Sequence, residues 1–386
     1  MHFTTFALAS LTFAPVVLAH PGHDLSEEIA ERRQFLGTVK RADLSHCTSK
    51  LTARGTLQHN AARRAALVDR TRAKTDKTVF LGGLKKRDAA TVLATSHNST
   101  DLGYTLNTDA TTIFSGNNSC VLTPEVTQGP YLCMALTQLI DVGGEYVRRN
   151  VIDKQEGVNM IVDYQVIDVD TCEPVPNVYL EMWHCNSTGV YSGVVANGNG
   201  DSSDTSNLDK TFLRGIQKTD KDGVAQFETL FPGHYTSRAT HIHLLVHTNA
   251  KQYCNGTLGN NATASHVGQG FFDQNLIAAV EATAPYNVNT QELTTNADDS
   301  ILSEEAATEG ADPMHEYTLL GETVSEGVFA WLAFGINVTY SQSVTPAAFL
   351  YAEGGVENSN AGSGMGGGNG TRPANGTAPS GPPPSQ

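Results

Sequence analysis

A tyrosine, an arginine and two histidines stand within nine residues of one another: Tyr235, Arg238, His241 and His243, in the stretch LFPGHYTSRATHIHLLVH from Leu230 to His247. Thr240 to His247 is dominated by β-branched and apolar residues and holds no Gly or Pro, so it reads as a strand. Side chains two apart on a strand share a face, which sets His241 and His243 side by side, close enough to grip one metal ion. Tyr235 lies in the Pro-Gly turn before that strand, from which a loop can fold its phenol back onto the same ion. Phenol, with a pKa of about 10, stays protonated beside zinc or magnesium and is a poor ligand for either. A trivalent ion reverses this by stabilising the phenolate, and hard anionic oxygen suits ferric iron. Two phenolates leave a 3+ centre with one residual charge, which one hydroxide cancels, so the chemistry asks for a second tyrosine. Tyr191, in NSTGVYSG from Asn186 to Gly193, is the candidate.

The elements that must position these residues read as short strands and turns. From about Cys120, Val158 to Val169 and Val178 to Trp183 alternate and suggest a β-hairpin around the turn Asp170–Pro174. Gly223 to Phe231, Glu316 to Leu320 and Gly327 to Val338 add strands. Short strands with regular turns imply a mainly β fold, a β-sandwich catalytic core over residues 120–345. Residues 20–119 form a basic, partly helical N-terminal extension, with helical spacing over Leu25–Leu36 and over about His59–Ala73. The basic triplet Lys85-Lys86-Arg87 makes residues 20–87 a candidate pro-segment; the competing and preferred reading is a retained helical arm packed on the main domain or on a second subunit. From Glu353 to the end the chain is Gly, Pro, Ser and Asn, and reads as a disordered, glycosylated tail.

Composition narrows the setting. Residues 1–19 read as a signal peptide, apolar from Phe6 to Leu18 and too short to span a membrane. The 6 cysteines, Cys47, Cys120, Cys133, Cys172, Cys185 and Cys254, make an even count that favours disulfides in an oxidising compartment. Cys172 and Cys185, at opposite ends of a strand, should not bond each other. Sequons fall at Asn98, Asn117, Asn186, Asn255, Asn261, Asn337, Asn369 and Asn375, so the expected location is secreted and extracellular. Residues 1–90 carry 15 Lys and Arg against 8 Asp and Glu; the rest carry 10 against 32, for a total of −15. An acidic main domain argues against nucleic acid as a partner, and no stretch suits a membrane.

Three stretches carry a resemblance. TPEVTQGPY (Thr123–Tyr131), TCEPVPNVYLEMWHCNSTGVYSG (Thr171–Gly193) and FLRGIQKTDKDGVAQFETLFPGHYTSRATHIH (Phe212–His243) closely resemble the intradiol ring-cleavage dioxygenases, above all a secreted fungal branch related to protocatechuate dioxygenase. The resemblance covers roughly residues 120–345. It implies one non-haem Fe(III) per chain, held by Tyr191, Tyr235, His241 and His243, acting on a small catechol with O2 to give a muconate-type diacid. It further implies that Tyr235 leaves the metal and acts as base, and that Arg238 stabilises the electron-rich ring. Gly129 and Pro130 match the loop bordering the substrate pocket, and Gln217 is a further candidate for that cavity. The family's glutamine downstream of the histidines has no clear counterpart; Thr257 lies near the expected spacing and Gln252 is the nearest glutamine.

Each residue has a plainer role available. A His-x-His pair by itself is more often half-exposed or a structural zinc site, Tyr191 an edge aromatic, Tyr235 a turn residue and Arg238 a surface charge. Their combination is what favours iron. His184, His234 and His247 read as structural or as neighbours of the ligands, and Trp183 as core. Two other classes of function compete. One is a non-catalytic β-sandwich binding module; the other is a copper-dependent polysaccharide oxidase in which His20, the residue after the signal, chelates copper. Substrate identity among catechols, disulfide pairing and the choice between monomer and homodimer stay open.

Overall fold

The computed structural model describes residues 44–73, 89–98, 119–121, 133–134, 146–195, 199–248, 250, 252, 256, 258, 263–264, 266–307, 311–343, 348–351 and 354–357. The signal peptide, His20, the Leu25–Leu36 helix, the basic triplet, Gly129, Pro130, Thr257 and the chain after 357 lie outside the described residues. The strands in chain order are β1 (Ser119–Val121), β2 (Cys133–Met134), β3 (Asn159–Asp168), β4 (Tyr179–Trp183) and β5 (Arg214–Lys218). They continue with β6 (Val224–Leu230), β7 (His241–His247), β8 (Thr263–Ala264), β9 (His266–Phe271) and β10 (Glu316–Leu319). The last are β11 (Val328–Ile336), β12 (Gln342–Ser343), β13 (Ala348–Tyr351) and β14 (Gly354–Glu357). The helices are α1 (Thr48–Ala53), α2 (Thr56–Arg72), α3 (Ala89–Ala94), α4 (Gln274–Glu281) and α5 (Ser300–Ala306). Among the described residues no helix is long and apolar enough to cross a membrane.

Two sheets make the sandwich. One runs β1-β11-β3-β6 with β10 also on β11, and the other runs β5-β4-β7-β9. Alternation decides what each face does. Met160, Val162, Tyr164 and Val166 of β3, Val328 to Ile336 at every second position of β11, Leu180 and Met182 of β4, and Ile242, Leu244 and Val246 of β7 meet in one buried core. The other face of each sheet carries polar groups: Asp163 and Gln165 on the first, Glu181, His241, His243 and His247 on the second. The first outer face receives the N-terminal arm, and the second carries the candidate site.

The predicted hairpin does not form. β3 lies between β11 and β6, whereas β4 lies between β5 and β7, in the opposite sheet. The turn between them carries the chain across the sandwich, with Cys172 at φ 60°. Both strands are buried on both faces almost throughout, and periodicity does not distinguish a neighbour within a sheet from one across the core. The C-terminal reading is also corrected, because Gly354–Glu357 pairs antiparallel with Ala348–Tyr351 as strand β14. Helices α4 and α5 were not anticipated.

The arm is bound to the domain by specific contacts. Cys47 bonds Cys172, across 125 residues of sequence, and Cys185 is a buried free thiol. From α2, Asn60 Nδ2 donates to Gln165 Oε1 at 2.6 Å, Arg64 Nε donates to Asp163 Oδ1 at 2.9 Å, and Arg63 forks onto the same carboxylate. Burial alone would raise the Asp163 carboxyl; the charge of Arg64 and the hydrogen bond from Arg63 outweigh it and hold the group ionised. Leaving that buried carboxylate unpaired would cost about 3–5 kcal/mol, so this face requires its cover. Beyond α3, His97 is buried between Asp273 and Asp312. Burial works against its charged form, but the two carboxylates prevail and raise the imidazole to about 9.

Candidate active site

Strand β7 sets the site. His241 pairs with Phe271 of β9, while His243 stands between Gln269 of β9 and Trp183 of β4. Residues opposite one another in an antiparallel ladder share a face, so these side chains line one surface. The Trp183 indole stacks flat on the His243 imidazole, with ring centroids 4.8 Å apart and planes 4° from parallel. His241 Nδ1 lies 2.6 Å from the carbonyl oxygen of Ala239, which can only accept. Nδ1 therefore carries the proton, and the lone pair of Nε2 faces the centre.

Two loops bring phenols to that lone pair. Tyr235 Oη stands 3.2 Å from His241 Nε2, and Tyr191 Oη stands 3.5 Å from it and 3.2 Å from His243 Nε2. The two Nε2 atoms are 3.0 Å apart. All four residues are buried. Ligands about 2.0–2.1 Å from a small cation, at angles of 90–110°, stand about 2.9–3.4 Å from each other, so the four donor atoms have the spacing of a coordination cage. Burial pushes both phenols above their ordinary pKa, and for Tyr191 the neighbouring Tyr235 adds to it; the Arg238 charge pulls both the other way. Such phenols ionise only beside a strong positive charge, which a trivalent ion supplies. The donor set fits ferric iron.

The loops lock together. Tyr191 N donates to Asn199 Oδ1 at 2.7 Å, and Tyr191 O accepts from Asn199 Nδ2 at 2.9 Å and Asn207 Nδ2 at 2.7 Å. Arg214 donates to Ser192 O through Nε at 3.0 Å and Nη2 at 2.8 Å. At the start of the same loop, Asn186 Oδ1 accepts from Thr188 N, Thr188 Oγ1 and Val190 N, while its Nδ2 donates to Gln155 Oε1 at 3.1 Å. Gly189, at φ +79°, lies so close to the Tyr235 loop that an added Cβ would stand 2.1 Å from His234 O. Gln291 spans both loops, with Nε2 donating to Thr188 O and Oε1 accepting from Thr236 N.

Arg238 is buried beside Tyr235. Its Nε donates to Asp299 Oδ2 at 2.9 Å and its Nη2 to Gln269 Oε1. Gln269 shares the ligand face and touches the arginine. Gln252 is exposed and bridges Leu258 instead. The signal that could have found Gln269 is its even spacing from Phe271 within a short strand; the length of the intervening loop hid it. Gln217 pairs with Leu180, a core residue, and so lies on the opposite face from His241 and His243. Its assignment to the cavity is corrected: the alternation of β5 points it away. Of the remaining histidines, His247 Nε2 meets Glu181 Oε2 at 2.7 Å, His184 meets Thr229 Oγ1 at 2.7 Å, and His234 meets Glu281 Oε1 at 2.8 Å. Burial lowers His184 to about 4.

Residues 129–254 match the family model described as Dioxygenase. The intradiol ring-cleavage dioxygenase from Tetranychus urticae is similar at 27% identity and TM-score 0.43, over 57% of this chain and 97% of that one. The dioxygenase domain of a dioxygenase carbohydrate-binding protein fusion from Streptomyces sp. SirexAA-E is similar at 18% identity and TM-score 0.30, over 56% and 99%. Catechol 1,2-dioxygenase from Pseudomonas arvilla C-1 is similar at 16% identity and TM-score 0.30, over 53% and 61%. No curated protein matches the chain. Tyr191, Tyr235, His241 and His243 all fall inside the segment that matches the dioxygenase family model.

Proposed function

We propose that this dioxygenase is a secreted, non-haem ferric enzyme that opens catechols between their two hydroxyl-bearing carbons. The observation that carries the reading is the cage of Tyr191 Oη, Tyr235 Oη, His241 Nε2 and His243 Nε2, with neighbouring donor atoms 3.0–3.5 Å apart. Both atoms of O2 enter the product, one into each new carboxylate, and the carbon–carbon bond between the hydroxyl-bearing carbons breaks. Ferric iron, when bound, supplies the charge that takes a catechol as its dianion and draws electron density from the ring. Tyr235 gives up its place and accepts one catechol proton at Oη, and the second proton passes to hydroxide. Tyr191, on the clamped loop, stays. Trp183 and Phe271 flank the histidines and exclude water from that side. Arg238 holds positive charge beside the ring, where it stabilises negative charge as it develops. The Cys47–Cys172 disulfide and the sequons support passage through an oxidising, glycosylating compartment.

The test is the visible absorption spectrum of iron-replete protein, before and after anaerobic addition of catechol. A broad tyrosinate-to-iron band that moves to longer wavelength as catechol displaces Tyr235 is expected. Iron-loaded protein without such a band rejects Tyr191 and Tyr235 as ligands and returns the binding-module reading.

A further inference from the structure

Helix α5 is capped by Asp299, which lies beyond the matched segment. Its carboxylate is fully buried and is used three ways. Oδ1 accepts from Leu302 N at 2.9 Å, while Oδ2 accepts from Arg238 Nε at 2.9 Å and from Ala239 N at 2.7 Å. The first contact is a helix cap, and Ser or Asn would serve that purpose as well. The other two reach the site by separate routes. Arg238 is held at Nε by Asp299 and at Nη2 by Gln269, and two fixed points on a planar guanidinium set its plane. The Ala239 peptide is held by its N–H on Asp299, and its carbonyl accepts the Nδ1 proton of His241. One carboxylate thus orients both the cation beside the ring and the tautomer of a ligand histidine.

We infer that Asp299 is a positioning residue for ring cleavage: through Arg238 and the Ala239 peptide it fixes where positive charge sits and which nitrogen of His241 faces the centre. The inference rests on the proposed roles of Arg238 and His241. Asp299 itself touches none of the four ligand side chains in the contacts described, so its hydrogen bonds reach the centre through those two intermediaries.

Asp299→Asn tests it by two independent readouts in the full-length protein. Hydrogen exchange followed by mass spectrometry is expected to quicken in the peptide covering 238–243 while β3 and β11 keep their protection. The kcat for catechol is expected to fall roughly ten- to hundredfold, with the visible band retained. In an Arg238→Ala background the same change is expected to cost less than in wild type, because one of its two intermediaries is already gone and only the Ala239 route remains. An equal loss in both backgrounds, or unchanged exchange over 238–243, overturns the inference. If the wild-type protein cleaves no catechol, the proposed function fails, and the exchange comparison alone decides the positioning role. Should Asp299→Asn not accumulate folded, Asp299→Glu keeps the charge and displaces it by one methylene. Wild-type exchange over 238–243 in that variant equally overturns the inference.

Discussion

The two phenol-bearing loops are built to different stiffness. The backbone of Tyr191 is held on both its N–H and its carbonyl by Asn199 and again by Asn207, and the next carbonyl is gripped by Arg214. The backbone of Tyr235 sits in a tight turn closed by Arg238 N to Tyr235 O at 3.4 Å. Inside that turn Ser237 takes φ 75°, a conformation that costs a non-glycine residue about 1–2 kcal/mol. Both phenols reach the same cage, yet Tyr191 is gripped on its own backbone by short, buried hydrogen bonds, whereas Tyr235 is held through its neighbours, with Asn289 on His234 O and Gln291 on Thr236 N. In the proposed function Tyr191 stays and Tyr235 leaves, and the difference in support matches those roles.

That contrast can be broken most severely at the phenols. Tyr191→Phe is expected to lose iron and all ring cleavage, whereas Tyr235→Phe is expected to retain iron with a displaced band and turn over about 10²–10⁴-fold more slowly, the worth of a positioned base. Metal analysis with absorption spectra separates the two, and equal iron loss in both would erase the distinction. Forcing the loops apart comes next. Gly189→Ala places a methyl against His234 O at positive φ, and is expected to cost about 2–3 kcal/mol in chemical denaturation. Because the clamped loop yields less, its spectral effect should resemble that of Tyr235→Phe. The smallest effect comes from pH and serves as a control. His97 titrates at about 9 when folded against 6.5 as a free group, so its ion pairs stabilise fully below pH 6.5 and are lost as pH rises through about 9. Thermal unfolding is expected to show this decline in wild type and not in His97→Gln, with the iron band of both unchanged.

Much of the site was legible because it is local. His241 and His243 share a strand face by spacing alone, and Tyr235 and Arg238 lie in the turn that feeds it. Tyr191 was reachable through charge counting, and the sandwich through alternation. The missing parts are those where the third dimension chooses the partner. Gln269 meets Arg238 across a loop whose length conveys nothing of its path. Asp298-Asp299-Ser300 before Ile301 and Leu302 is a readable helix start, but nothing in it names Arg238 as the second use of the cap. Gln217 was misplaced by one step of a two-residue period, which turns a side chain to the other face. The supposed hairpin failed because strands buried on both faces show no preference for an adjacent partner over one across the core.

Asn186 has a consequence for how the molecule is made. It is half-buried, and its amide nitrogen, the atom to which an N-linked sugar would attach, donates to Gln155 while its oxygen closes the Tyr191 loop. It also sits in the sequon Asn186-Ser187-Thr188. For a chain routed through the secretory pathway, a sugar would attach to the nitrogen that donates to Gln155, while the oxygen that closes the loop stays an acceptor. A glycan there would leave one N–H on the nitrogen and would have to fit at a half-buried position against Gln155. One asparagine thus ties the packing of the Tyr191 loop to whether a sugar is added there.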